Sequence, residues 1–290
     1  TPGMVLDEGV LNSRENNYIG CLVEETSSVG ASFLDLSTGY FVLVEFSGDK
    51  AWPHIRQELE RFCPRELILP ETEQDKIVSH IPDNVRAMTT PTPVSDWSFR
   101  EDYSRRVLLE HFKVASLEGF GLNGQCAAVS AAGALLHYIK QTQKSSLSHV
   151  TEIHLMQPAG DLKLDQVTVE NLELIRGLDG NRKGTLLSTL DFTNTSMGAR
   201  LLRNRLLRPS CQVGEINQRL NAVEELHSST PFRDRLRKLL QGIQDIERLL
   251  GRVTMEVANA RDLLGLGNSL QQLPAISELL QRSQSVLLKE

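Results

Sequence analysis

Asp35 stands two residues before Ser37-Thr38-Gly39, at the end of an apolar run, where a carboxylate could hold a metal ion. Carboxylates gathered from neighbouring elements would hold two magnesium ions for cutting a nucleic acid. Asp96, Asp102 and Glu110 are the available companions, and nothing in their spacing brings three together. An aspartate there is also a common turn cap, because its side chain accepts a backbone N–H two residues on. Gly119, Gly121 and Gly124 form GFGLNG ahead of a helical pattern. Such a turn can cradle a phosphate, yet the lysine and hydroxyl residue of a phosphate-binding loop are missing, as is a preceding strand. Hinge or tight packing point is the better reading of these glycines. From residue 181 to 209 six cations (Arg182, Lys183, Arg200, Arg203, Arg205, Arg208) face Asp191 alone. Either some of them meet DNA or a neighbouring domain, or Arg200, Arg203 and Arg208 are structural arginines paired with acids, since an unpaired buried charge is very costly. Cys21, Cys63, Cys126 and Cys211 form no CxxC pair, and the seven histidines do not fall at zinc spacings. Single thiols of this kind suit a reducing compartment.

The elements that must position these groups divide the chain in two. Residues 18–25 (YIGCLVEE), 31–36 and 40–46 read as three strands, the last two joined by Ser37-Thr38-Gly39 as a hairpin with Phe33, Phe41 and Leu43 inward. A helix over 54–62 buries Ile55, Leu59 and Phe62. Residues 66–69 (ELIL) form a continuous apolar run, as in a strand covered on both faces. A polar helix and a strand over 85–89 follow. A helix over 97–112 buries Val107, Leu108 and Phe112 and turns Arg105 and Arg106 outward, a solvated face or a partner-docking surface. Alanine-rich residues 125–140 make a helix that packs closely on its neighbours, with Val129, Leu136 and Ile139 buried, and that ties the first domain to the second. The polar stretch 140–148 marks the join, giving domains 1–140 and 141–290.

Beyond it, 153–156 and 162–169 suggest a small pair of strands, and Asn171 opens a helical region. Apolar stripes at Ile216, Leu220, Val223, at Ile243, Ile246, Leu250, Val253 and at Leu263, Leu266, Leu270, Leu273 define its helices. Thr230-Pro231 and Asn259-Ala260-Arg261-Asp262 are helix starts. Gly265 and Gly267 should each weaken their helix by roughly 1 kcal/mol against alanine. Leu201, Leu202, Leu206 and Leu207 spread around a helix, which predicts burial by several neighbours.

A net charge of −6 argues against an autonomous DNA-binding domain. No apolar run approaches the roughly 20 residues needed to span a bilayer. Thr1 is not a methionine and Glu290 falls inside a helical pattern, so both ends look cut.

Several long segments, in order, resemble the MutS family of DNA mismatch-repair proteins. In the second half these are Thr185-Leu186-Leu187 with Leu190-Asp191, the run Ser196-Met197-Gly198-Ala199-Arg200-Leu201-Leu202, Leu207-Arg208-Pro209, residues 245–252 (DIERLLGR) and 258–264 (ANARDLL). In the first half they are Thr1-Pro2-Gly3, the LDLSTGYF hairpin and residues 117–150. The family usually has proline where Ser196 stands and a bulky aromatic where Asn204 stands. The resemblance implies an α/β ribonuclease-H-like connector domain over 1–140, followed by a mainly α-helical lever (core) domain truncated before the clamp. It implies a non-catalytic piece of a larger cytoplasmic, homodimeric machine. Mismatched duplex DNA, ATP and magnesium would be bound mainly by other parts, with no cofactor in this chain. A MutL-like partner would dock on the connector, with Arg105, Arg106 and Val107 as the contact residues. The alternatives are a metal-dependent nuclease using Asp35, or a generic helical scaffold.

Overall fold

A computed structural model describes residues 2–4, 11–143, 147–156 and 160–289. Thr1, Glu290 and residues 144–146 of the polar stretch at the expected join lie outside the described residues. The chain forms two compact units. The first comprises Thr1–Asn12, Asn16–Gln157 and Thr254–Val257, and the second Ser13–Glu15, Pro158–Val253 and Ala258–Glu290.

The first unit is built on a six-stranded sheet of order β5-β4-β1-β2-β3-β6. The strands are β1 (Tyr18–Glu24), β2 (Ser28–Asp35), β3 (Tyr40–Ser47), β4 (Glu66–Pro70), β5 (Thr90–Val94) and β6 (His154–Leu155). β1, β2 and β3 are antiparallel neighbours, while β4, β5 and β6 join in parallel. This is the ribonuclease-H-like order expected from three strands followed by alternating helices and strands. Five helices cover the sheet: α1 (Ala51–Phe62), α2 (Gln74–His80), α3 (Asp83–Arg86), α4 (Glu101–Phe112) and α5 (Cys126–Gln143). Period-two alternation sends Ile19, Cys21 and Val23 into one core with α4 and α5, and Tyr18 and Leu22 into a second core with Ile55 and Leu59 of α1. Both faces are therefore buried, which is why β4 reads as an unbroken apolar run.

Two strand expectations shift. Residues 85–89 do not form a strand. Val85 lies in α3, and the strand begins five residues later as Thr90-Pro91-Thr92-Pro93-Val94. β5 is an edge, where the missing N–H groups of Pro91 and Pro93 leave no ladder bond unmade. Residues 153–156 do not pair with 162–169. His154 and Leu155 instead add to β3, opposite Val42 and Leu43. That pairing carries the first unit to Gln157, past the join expected at 140. Nor does α5 tie two domains together. It lies wholly within the first unit, packed on β2 and α4. Its alanines allow that approach, and so do two glycines. A Cβ on Gly30 would stand 2.2 Å from the carbonyl carbon of Ala127, and one on Gly133 would stand 2.3 Å from Cα of Ser104.

Two half-buried histidines fasten the segment after α5. The Nε2 of His111 lies 2.9 Å from the Val150 carbonyl oxygen, and that of His149 lies 2.8 Å from the Leu36 carbonyl oxygen. Burial holds both below the ordinary histidine value, against the opposing pull of those carbonyls. In the unfolded chain each binds its proton near pH 6.5. As pH falls through that value the unfolded state gains protons the folded state refuses, so stability present above it is lost. Urea unfolding of this unit, followed by tryptophan fluorescence, should show lower stability at pH 5.5 than at pH 7.5. His149→Gln should reduce the difference, and an unchanged pH dependence in that variant would refute the assignment.

The second unit is helical: α6 (Gln166–Asn171), α7 (Leu186–Leu190), α8 (Ser196–Leu207), α9 (Val213–Ser228), α10 (Thr230–Gln241), α11 (Ile246–Thr254, whose last residue counts with the first unit), α12 (Ala260–Leu280) and α13 (Val286–Lys289). Residues 166–169 are helical rather than extended because the Asp165 carboxylate caps the helix, accepting Thr168 N–H at 2.7 Å. Asn171 accordingly ends that helix instead of opening one. Thr185 and Thr195 cap α7 and α8, and Asn259 with Asp262 forms a reciprocal capping box on α12.

The apolar stripes fare differently. Ile243 is buried as expected, but Leu249 rather than Leu250 is the buried leucine of α11. On α12 the buried face is Asp262, Gly265, Ser269 and Leu279, while Leu263, Leu270 and Leu273 are exposed. Ile216, Leu220 and Val223 of α9 are exposed too, and so is Leu201 of α8, against the burial on several sides that its leucines predict. Polar packing explains the inversion on α12. Ser269 Oγ accepts Gln244 N–H at 3.0 Å, and a Cβ on Gly265 would meet Gln244 Oε1 at 2.2 Å. Gly265 is thus a close-contact residue, whereas a Cβ on Gly267 would meet nothing within 4 Å. Gly267→Ala should stabilise the helical unit by about 1 kcal/mol through helix propensity alone. A denaturation midpoint that fails to rise would show that α12 is strained there.

Candidate functional site

The sequence points to the outer side of α4 as a docking face. The helix begins after a 3-10 turn at Asp96–Phe99 and ends where Lys113 turns left-handed. Val107 and Leu108 point into the core, so Val107 is not available to a partner. This corrects the expectation for Val107: its position one turn after Ser104 and beside Leu108 puts it on the inward stripe. Arg105 is partly engaged, donating to Glu101 at 2.8 Å one turn earlier. Arg106 is exposed, and its guanidinium lies 5.3 Å from the centre of the Tyr103 ring. Sequence reading missed the company around it. Trp97 meets Tyr103 and His137 edge-on at 4.9 and 5.1 Å between ring centres, and the Tyr103 hydroxyl lies 2.8 Å from His137 Nδ1. The signal was available only as an isolated tryptophan outside any apolar stripe.

GFGLNG closes a 3-10 turn at Glu118–Phe120. Gly121 (φ 76°) and Gly124 (φ 89°) adopt left-handed backbone that other residues resist. A Cβ on Gly119 or Gly124 would meet nothing within 4 Å, so these glycines are not tight packing points. Tight packing belongs to Gly30 and Gly133, which the sequence could have flagged as a strand-interior glycine and a glycine amid alanines.

Asp35 is completely buried at the end of β2. Its Oδ1 accepts from Ser37 N–H at 3.0 Å and Ser37 Oγ at 2.6 Å. Its Oδ2 accepts from Asn16 Nδ2 at 2.7 Å and Asn17 N–H at 3.3 Å. Four donors occupy the carboxylate, which is the chemistry of a turn cap. Asp96 meanwhile accepts from Thr72 N–H at 3.2 Å, and Asp102 and Glu110 are exposed on α4. Among the described residues no group of three or more histidine, cysteine, aspartate or glutamate side chains could hold a metal ion.

A second buried carboxylate, Glu66 on β4, accepts from Tyr138 Oη at 2.7 Å and Thr92 Oγ1 at 3.1 Å. Burial, then the bond to Glu66, pushes the Tyr138 hydroxyl up to about 12. The phenol therefore stays protonated and serves as a fixed donor.

In the helical unit three cations of the basic stretch, Arg182, Arg200 and Arg208, form ion pairs. Arg200, 3 % exposed, grips Asp245 with both Nη atoms at 2.6 and 2.8 Å and reaches Glu247 at 2.5 Å. Burial pulls the guanidinium down and is outweighed by Asp245 and Glu247, which hold it above its usual value. Arg200 also donates to the Ser13 carbonyl at 2.9 Å, and buried Arg248 donates to that of Glu15 at 2.5 Å. Arg14 and Arg182 converge on Asp191, each at 2.6 Å. Its carboxyl is held low: burial works against this, and Thr193 and Arg14 prevail. Arg208 pairs with Asp161 at 3.3 Å, and Arg203 is half-buried. Arginines that pin Ser13–Glu15 to α8 and α11 are a packing hub whose charge is neutralised from within. No helix among the described residues is long and apolar enough to cross a membrane.

Comparison with known proteins agrees with this division. The family description "MutS domain II" matches residues 17–151, and "MutS domain III" matches residues 167–290. The chain is 41% identical over 295 aligned positions to the DNA mismatch repair protein MutS of Solibacter usitatus, covering all of this chain and 33% of that protein. It is 40% identical to that of Myxococcus xanthus, covering all of this chain and 32% of the relative. It thus spans about a third of the length of these curated relatives. With an α/β unit where domain II matches and a helical unit where domain III matches, the chain belongs to the MutS family of DNA mismatch-repair proteins.

Proposed function

We propose that this chain is the non-catalytic connector and lever portion of a MutS-type mismatch-repair ATPase, coupling mismatch binding to the ATP state and docking a MutL-like partner. The observation that carries the reading is the ordered match of domains II and III over nearly the whole chain. Mismatched duplex DNA, ATP and magnesium are bound mainly outside these two domains, by a cytoplasmic parent that is a homodimer. The connector corresponds to the α/β unit and the lever to the helical unit. Internally neutralised arginines such as Arg200 and Arg208 suit a stiff body that transmits a displacement, rather than a surface that grips phosphates. Gly119, Gly121 and Gly124, two of them left-handed and none crowded, suit a hinge. The nuclease alternative has no support from Asp35, whose carboxylate is spent on capping.

Docking is tested by titrating the chain with the N-terminal half of the MutL protein from the same organism. Saturable binding, weakened at least fivefold by Arg106→Glu, is the expected result. Absence of binding at concentrations of about 100 μM, near the weak end of specific association, would remove the docking role from this chain.

A further inference from the structure

Gly124 follows Asn123, which is the only asparagine of the chain with a glycine after it. The pair carries a chemistry of its own. The backbone nitrogen after an asparagine can attack the side-chain carboxamide, and asparagine counts among the thermolabile residues. A side chain on the following residue hinders that approach, and glycine has none.

The fold decides whether such a pair reacts, and here it leaves both groups free. Asn123 and Gly124 are exposed in the turn between the buried Leu122 and the start of α5. Among the described residues neither the Asn123 carboxamide nor the Gly124 N–H makes a hydrogen bond. A Cβ on Gly124 would meet nothing within 4 Å, so there is room for a ring to close. The other candidates are held. Asp179 precedes Gly180 but spends its two oxygens on the N–H and Nδ2 of Asn181, each at 2.9 Å, and those bonds keep its carboxyl below the usual range. An ionised carboxylate resists attack. Asn268 lies inside α12, where helical bonds hold the backbone, and Asn194 is bound through both side-chain atoms to Arg237.

We propose that Asn123 is a self-modification site. The Gly124 nitrogen, having lost its proton to base, attacks Cγ of Asn123. The N–Cγ bond forms, the bond from Cγ to the amide nitrogen breaks, and that nitrogen takes up a proton and leaves as ammonia. Water then opens the cyclic imide at one carbonyl to give aspartate or at the other to give isoaspartate. One water is consumed and one ammonia released, with no oxidation. The isoaspartyl opening routes the backbone through the side chain and inserts a methylene between Leu122 and α5. It also adds a negative charge where Cys126, the first residue of α5, already lies near Glu101, Glu25 and Glu45. The benefit of an acid at this helix start is already taken by Glu45, which accepts Ala128 N–H at 2.8 Å. The first turn of α5 therefore loosens as the chain ages. None of this depends on the docking or coupling proposed above.

The test ages the chain at pH 8.5 and at pH 6, folded and in urea, and compares it with chain digested at once. Trypsin cuts after Lys113 and Lys140, releasing residues 114–140 as one peptide. In the folded sample that peptide should show the mass shift of an amide turned to an acid and should separate into aspartyl and isoaspartyl forms. The shift should grow faster at the higher pH, because the attacking nitrogen must lose its proton. It should be lost in Asn123→Gln, whose longer side chain closes such a ring poorly. Amides of residues 126–129 should exchange hydrogen faster in the aged chain than in Asn123→Gln aged beside it. A peptide modified in urea but not in the folded chain would overturn the proposal, since the fold would then protect Asn123. A mass shift that persists in Asn123→Gln would move the reaction to Gln125 and overturn it as well.

Discussion

Arg200→Ala is expected to cost the helical unit about 3–5 kcal/mol, the range for breaking a buried ion pair from one side. The substitution takes from Asp245, 10% exposed in its side chain, the guanidinium that grips it with two hydrogen bonds, leaving only the Arg248 Nε at 3.8 Å as a cationic partner. It also removes a donor from the Ser13 carbonyl and the near partner of Glu247. With typical domain stabilities of about 5–15 kcal/mol, the unit would be marginal. Both tryptophans, Trp52 and Trp97, lie in the first unit, so their fluorescence reports on it alone, while helical ellipticity reports on both. Urea unfolding should therefore show an early ellipticity transition and a nearly unmoved fluorescence transition. Arg205→Ala, at an exposed position on the same helix, should change stability by less than about 0.5 kcal/mol. Equal effects of the two substitutions would refute the hub.

The opposite pattern is expected for Gly30→Ala. Its new methyl would stand 2.2 Å from the Ala127 carbonyl carbon, 2.4 Å from that carbonyl's oxygen and 2.4 Å from Ala128 N. All three are backbone atoms of α5, which cannot rotate away as a side-chain tip can. The helix must lift from β2, straining the bonds from Ser32 Oγ to the Ala131 carbonyl and from Ala128 N–H to Glu45. Overpacking typically costs 1–3 kcal/mol and occasionally more, and a backbone collision belongs at about 3 kcal/mol or above. Here the fluorescence transition should move to lower urea. Gly119→Ala, in an uncrowded turn at ordinary φ, should leave it in place. A Gly30→Ala protein as stable as its parent would mean that α5 does not sit on β2 at that distance. Gly133→Ala should behave like Gly30→Ala, and by parting α4 from α5 it should also loosen the face that carries Trp97.

Much of this molecule is local chemistry that one sequence can display. The hairpin at Ser37-Thr38-Gly39, the strand alternation behind Phe33, Phe41 and Leu43, the run Glu66–Pro70 and the capping box at Asn259 and Asp262 all follow from residues within a few positions of one another. So does the role of Asp35 as a turn cap, half of whose donors come from Ser37 nearby. The order of these elements, together with long matched segments, was enough to fix the family and the division into an α/β and a helical part. Decisions resting on distant partners were not legible. Periodicity marks an apolar stripe without saying whether anything covers it, and so Leu263 and Leu270 face outward while Gly265 and Ser269 face Gln244. A basic run does not show its acids when they are supplied from 45 residues away, as Asp245 is to Arg200. A glycine's crowding depends on which helix lands on it, which is why Gly30 and Gly133, and not the GFGLNG turn, are the close contacts. The aromatic cluster at Trp97 likewise exists only because α5 brings His137 beside α4. Short-range hydrogen bonding and alternation are written along the chain, whereas burial, charge pairing and close approach are settled by which elements the fold sets side by side.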